Sequence, residues 1–151
     1  MKTMKIWRLT FAMLAAFSLA SCSSEEESDI TITYRVLNEK GQECSEFYSG
    51  DEIVLYLAIK NSTEQTYKFA DETDLIKEAF LIYSSDGTCY NPIPYLDFRM
   101  LPISIAPGDV YERSVLWNQF PLPSGEYYSN CTLNIGKTNK SYLVKFNINA
   151  K

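Results

Sequence analysis

Histidine is absent from this chain of 151 residues. That single absence removes Ser-His-Asp and Cys-His nucleophilic arrangements, imidazole general bases and most zinc sites. Cysteine is scarce. Cys44, Cys89 and Cys131 stand too far apart to form a CxxC metal or redox motif. Long apolar runs are missing as well, since the stretch from Leu9 to Ala20 is shorter than the ~20 residues a hydrocarbon core requires. The net charge is −5, with no basic cluster. An acidic chain of this kind suits neither nucleic acid nor anionic headgroups, and no nucleic-acid partner is expected. There is no nucleophile elbow and no cluster of metal ligands, so neither an enzyme nor a cofactor is expected.

What is present begins at the N-terminus. Lys2, Lys5 and Arg8 precede the apolar stretch, and small residues follow it, which is the pattern of a secretory signal peptide. Leu19-Ala20-Ser21-Cys22 resembles the lipobox of bacterial lipoproteins, in which the cysteine becomes the acylated first residue of the mature chain. That resemblance implies a leader over 1–21 and lipidation at Cys22, with membrane attachment through the lipid. Losing the leader takes away three positive charges and no negative one, and leaves the mature chain at −8. Residues 22–29 are polar and acidic and are expected to form a flexible tether. Its Ser-Ser-Glu-Glu-Glu-Ser-Asp stretch resembles the signal that exports Bacteroidota lipoproteins to the outer face of the outer membrane. The expected location is therefore the outer membrane, exposed at the cell surface, with a plain solvated spacer as the alternative.

Residues 30–151 make one domain of ordinary size. It is rich in aromatics, with 11 Tyr, 8 Phe and 2 Trp, which favours strands. Ile30, Ile32, Tyr34 and Val36 alternate with polar residues, as a half-buried strand requires. A turn at Asn38–Gly41 leads to a return strand through Cys44 to Tyr48. Glu52 to Lys60 is apolar on both faces and predicts a central strand. Further strands are expected at Thr66–Phe69, Ala79–Tyr83, Thr88–Tyr90, Ile103–Ala106, Val110–Trp117, around Tyr127–Ile135, and at Ser141–Ile148 after a polar loop at Gly136–Lys140. No sustained helical period and no repeat interrupts them. Short strands at this spacing predict an all-β fold, an antiparallel immunoglobulin-like β-sandwich.

Two loops stand out. Asp71, Glu72 and Asp74 place three carboxylates within four residues, the oxygen chemistry calcium takes. A solvated acidic loop is the commoner outcome, and no metal is expected. The stretch from Asn91 to Pro102 is apolar yet too rich in proline for a regular strand. Tyr95, Phe98, Arg99 and Met100 make it the candidate partner-binding surface, against the alternative that it closes the core as a lid. Among the cysteines, Cys131 shares its parity with Leu133 and Ile135 and is expected to be a buried free thiol. If any disulfide forms, it joins Cys44 to Cys89.

Four stretches in order, "YLAIKNSTEQTYKF", "AFLIYSSDGTCY", "ISIAPGDVYERSVLWN" and "PLPSGEYYSNCTLNI", resemble the BsuPI domain, an immunoglobulin-like family named for an intracellular proteinase inhibitor. The likeness spans most of Glu52 to Ile148 and rests on turn and core residues. It implies the fold, and it raises proteinase inhibition as one function, with Arg99 beside Met100 as the position to test. The other two readings are a surface-tethered module that binds a protein or glycan through loops at one end of the sandwich, and an accessory subunit of a surface assembly.

Overall fold

The computed structural model describes residues 29–90, 98–117, 121–136 and 138–151. The leader over 1–21, Cys22 and the tether through residue 28 lie outside the described residues, as does Tyr95. Among the described residues, eleven strands and one short helix follow in the order β1 Ile30–Leu37, β2 Glu46–Tyr48, β3 Ile53–Asn61, β4 Tyr67–Phe69, α1 Glu72–Leu75, β5 Ile76–Glu78, β6 Ile82–Ser84, β7 Cys89–Tyr90, β8 Ile103–Ile105, β9 Val110–Trp117, β10 Gly125–Ile135 and β11 Thr138–Asn149.

The strongest alternation organises the first sheet, β1-β3-β9, with β3 in the middle. Ile53, Leu55, Leu57 and Ile59 of β3 are all buried, while Val54, Tyr56 and Ala58 on its other face are half-buried. Each of those four side chains contributes about 1.5–3 kcal/mol on burial. The second sheet runs β2-β11-β10-β6-β7, with β5 also pairing β10. Its inward row includes Tyr127, Ser129, Cys131 and Leu133 of β10 and Phe146 and Ile148 of β11. The inner faces of both sheets meet in one apolar cluster, so the molecule is an all-β sandwich. β4 and β8 make a separate two-stranded ribbon.

A chain of hydrogen bonds stitches the sheets through this core. The Phe80 N–H donates to Tyr34 Oη at 3.0 Å, Tyr34 to Ser129 Oγ at 2.7 Å, and Ser129 Oγ to the Leu81 carbonyl at 2.5 Å. Tyr127, at the start of β10, donates its hydroxyl to the Pro123 carbonyl at 2.8 Å. The hydroxyl thereby ties the start of β10 to the turn just before it. Asn61 is buried at the end of β3, and its side-chain amide donates to the carbonyls of Gln65 and Ile105 while its Oδ1 accepts from Thr63. Its backbone N–H and carbonyl meet Asp109 and Gly108, so this one residue ties the turn after β3 to the turn between β8 and β9.

Five expectations need correction. The expected return strand through Cys44 to Tyr48 leaves β1 after a single Leu37–Glu43 bridge, and β2 joins the second sheet parallel to β11, in a sandwich otherwise paired antiparallel. The expected loop over residues 70–77 winds into α1 and β5, because Asp71 caps the turn by accepting from the N–H groups of Thr73 and Asp74. The expected strand Ala79–Tyr83 is broken at Phe80, whose φ of 64° lies in the left-handed region. The loop Gly136–Lys140 tightens to a two-residue connection, since Ile135 pairs with Thr138 and Gly136 takes a φ of 76°. Finally, Cys44 does not bridge Cys89, and all three described cysteines are free thiols. Cys44 adjoins β2 at one edge of the second sheet, while Cys89 lies on β7 at the other. Four strand spacings separate them, roughly 19 Å, far beyond a disulfide's reach. Cys131 is a buried free thiol, as its parity predicts.

Candidate functional site

The segment from Phe98 to Leu101 leads into β8 and divides its side chains between core and solvent. Phe98 is half-buried and packs against the core, whereas Arg99 is exposed. Met100 and Leu101 stand 70% and 68% exposed, side by side. The candidate binding set therefore splits: Phe98 belongs to the lid, Arg99 and Met100 face outward, and Leu101 joins them.

The backbone under these side chains is fixed from below by Glu72, which is 0% exposed. Because Asp71 is the cap that starts α1, the next residue points inward and reaches the adjoining segment. The Arg99 N–H donates to Glu72 Oε2 at 2.8 Å, and the Glu72 N–H donates to the Arg99 carbonyl at 3.1 Å. Residue 99 is thus held at both of its polar backbone groups. Glu72 Oε1 accepts the Tyr111 hydroxyl and lies 3.6 Å from Arg113 Nε. Burial and the bond to Glu72 together push the Tyr111 hydroxyl above its ordinary range. A buried carboxylate is costly unless hydrogen-bonded and paired, and this one is both.

The same geometry separates the three carboxylates that lie close in the chain. Asp71 is occupied in capping, Asp74 Oδ2 accepts from the Ala70 N–H, and Glu72 turns into the protein. The three carboxylates do not converge, and no group of three or more potential ligands is found among the described residues. Sequence spacing grouped these residues correctly in the chain but could not show which way each one turns. Glu72 was missed as a clamp for that reason. Leu101 carried a readable signal, an apolar residue next to Met100 in a proline-bounded loop.

A depression of about 400 Å³ lies beside β2 among polar turn residues. Of the four acidic residues that line it, Glu46 is already engaged, accepting the side-chain amides of Asn147 and Asn149 at 2.7 and 3.0 Å, which hold its carboxyl below the ordinary range. Comparison with known proteins gives no relative to build on: no protein-family model and no curated protein matches the chain.

Proposed function

We propose that this protein is an extracytoplasmic binding module, anchored in the outer membrane through lipid on Cys22, that recognises a protein partner with Arg99, Met100 and Leu101. One observation carries the reading: two consecutive, largely exposed apolar residues directly follow Arg99, whose backbone is held at both of its polar groups by Glu72. Apolar residues in this arrangement mark interaction surfaces. Methionine adapts its shape to a partner, arginine is frequent at hot spots, and a fixed backbone lowers the ordering entropy of binding. The BsuPI resemblance read from the sequence concerns turn and core residues and leaves the activity open. Inhibition by insertion of Arg99 into a protease would need the Arg99 carbonyl in an oxyanion hole, and that carbonyl is already bonded to Glu72. The inhibitor reading therefore ranks second.

The test is cross-linking capture on intact cells with the full chain and with the M100D/L101D variant. Both side chains are exposed, so the variant should melt within a few degrees of the parent and capture at least about tenfold less partner. Equal capture by the two proteins would place recognition elsewhere. Mass spectrometry of the same material checks the anchor, through an acylated N-terminal Cys22 in the parent and release of Cys22→Ser from the membrane fraction.

A further inference from the structure

The outer face of the second sheet carries a site independent of the loop described above. Tyr128 points outward from β10, with Tyr83 of β6 opposite it on one side and Lys145 of β11 on the other. The two tyrosine rings stack, with centroids 5.2 Å apart and planes within 14°. The Tyr83 hydroxyl is itself held, donating to Glu78 Oε1 at 2.6 Å. One face of the Tyr128 ring is therefore covered and its orientation fixed. The other face looks toward β11, where a groove of about 310 Å³ is lined by Ser85, Glu126, Tyr128, Leu143 and Lys145. Leu143 is 52% exposed there, an apolar side chain in the middle of a long strand's solvent face.

We propose that this groove is a subsite for a neutral pyranose ring. A sugar presents a flat C–H face and a rim of hydroxyls that donate and accept. The groove matches both, with the half-exposed Tyr128 ring and Leu143 for the C–H face and Glu126, Lys145 and Ser85 for the rim. The two charged residues have opposite signs, so the groove favours neither a cation nor an anion, and the acidic chain as a whole opposes an anionic ligand. A peptide strand is a poorer fit. Peptides usually bind sheets by pairing with an open edge, and β10 and β11 are paired to each other along the length of the groove.

The experiment uses the full chain, purified in a detergent whose headgroup is not a sugar. It is applied to an array of neutral oligosaccharides built from glucose, mannose, galactose and xylose, together with a set of apolar peptides. The best glycan is then titrated against the parent, Tyr128→Phe and Tyr128→Leu. Phenylalanine keeps the aromatic face and should bind within about threefold of the parent, whereas leucine keeps bulk without the ring and should lose about tenfold. Thermal melts of both variants confirm folding. The proposal is overturned if no glycan is retained, if Tyr128→Leu binds like the parent, or if only peptides are captured.

Discussion

Glu72 shows how one side chain decides what a segment can do. A carboxylate with no exposed surface survives here because the Arg99 N–H, the Tyr111 hydroxyl and the Arg113 guanidinium surround it. Replacement by alanine leaves those groups facing a gap, and breaking a buried pair costs about 3–5 kcal/mol. Replacement by glutamine keeps the volume and one acceptor oxygen, so a loss of about 1–2 kcal/mol is expected. Urea denaturation measures the difference as a shift in midpoint at constant slope. The two variants should also separate in binding. Glutamine retains an oxygen for the Arg99 N–H and should preserve partner capture, while alanine keeps only the backbone bond to the Arg99 carbonyl, loosens residues 99–101 and should weaken it. Equal stability of the alanine variant and the parent would show that Glu72 clamps nothing.

At the scale of elements, β5 and β6 are two strands because of a single residue between them. Phe80 takes a φ of 64°, buries its ring edge-on to Tyr34 at a centroid distance of 6.1 Å, and sends its N–H to the Tyr34 hydroxyl. A side chain in that backbone region costs about 1–2 kcal/mol, which glycine escapes. Both Phe80→Ala and Phe80→Gly lose the ring, a loss of about 3–5 kcal/mol. Glycine normally lies below alanine in stability because of its larger unfolded-state entropy. Here the order should reverse or vanish, and chemical denaturation of the two variants that found glycine about 1 kcal/mol worse would remove the strain account. The same residue shows where reading the sequence stops. Phenylalanine favours strands, so Ala79–Tyr83 looked continuous, and only the distant Tyr34 explains the break. Strands with strong alternation were legible, and β9 falls on Val110–Trp117 as its pattern predicts. Four residues of α1 are too few to show a helical period, and the parallel docking of β2 on β11 depends on a partner about a hundred residues away. The candidate site was half legible. Arg99 and Met100 lie in a segment whose composition announced it, but the partners that give Glu72 its meaning stand 27 and 39 residues away.

For the whole molecule, the absence of histidine and the placement of the other titratable groups set a broad dome of stability against pH. On the acid side, Asp86 is held down at about 2, chiefly by the Ser84 hydroxyl and then by Thr88, and Asp71 and Glu46 are lowered by Thr73 and by two asparagine amides. A folded value below the unfolded one gives stability that is present above the ordinary carboxylate range near 4 and lost as pH falls through the folded values. On the alkaline side, burial pushes both the Tyr34 hydroxyl and the Cys131 thiol up to about 12. A raised folded value reverses the sign. Stability is complete below the unfolded values, near 8.5 for a thiol and near 10 for a phenol, and is lost as pH climbs toward 12. Between roughly pH 5 and pH 8 no imidazole exists to titrate, so the melting temperature should be nearly flat there. The thiol opens the alkaline decline before the phenol does. Cys131→Ala should melt lower than the parent at neutral pH, because it removes a buried atom from the core. It should nevertheless hold its own plateau to about pH 10, where the parent already falls away from about 8.5. Melting curves taken at half-unit steps from pH 7 to pH 11 decide the matter. If both proteins begin to decline at the same pH, Cys131 is not the group that sets the alkaline edge.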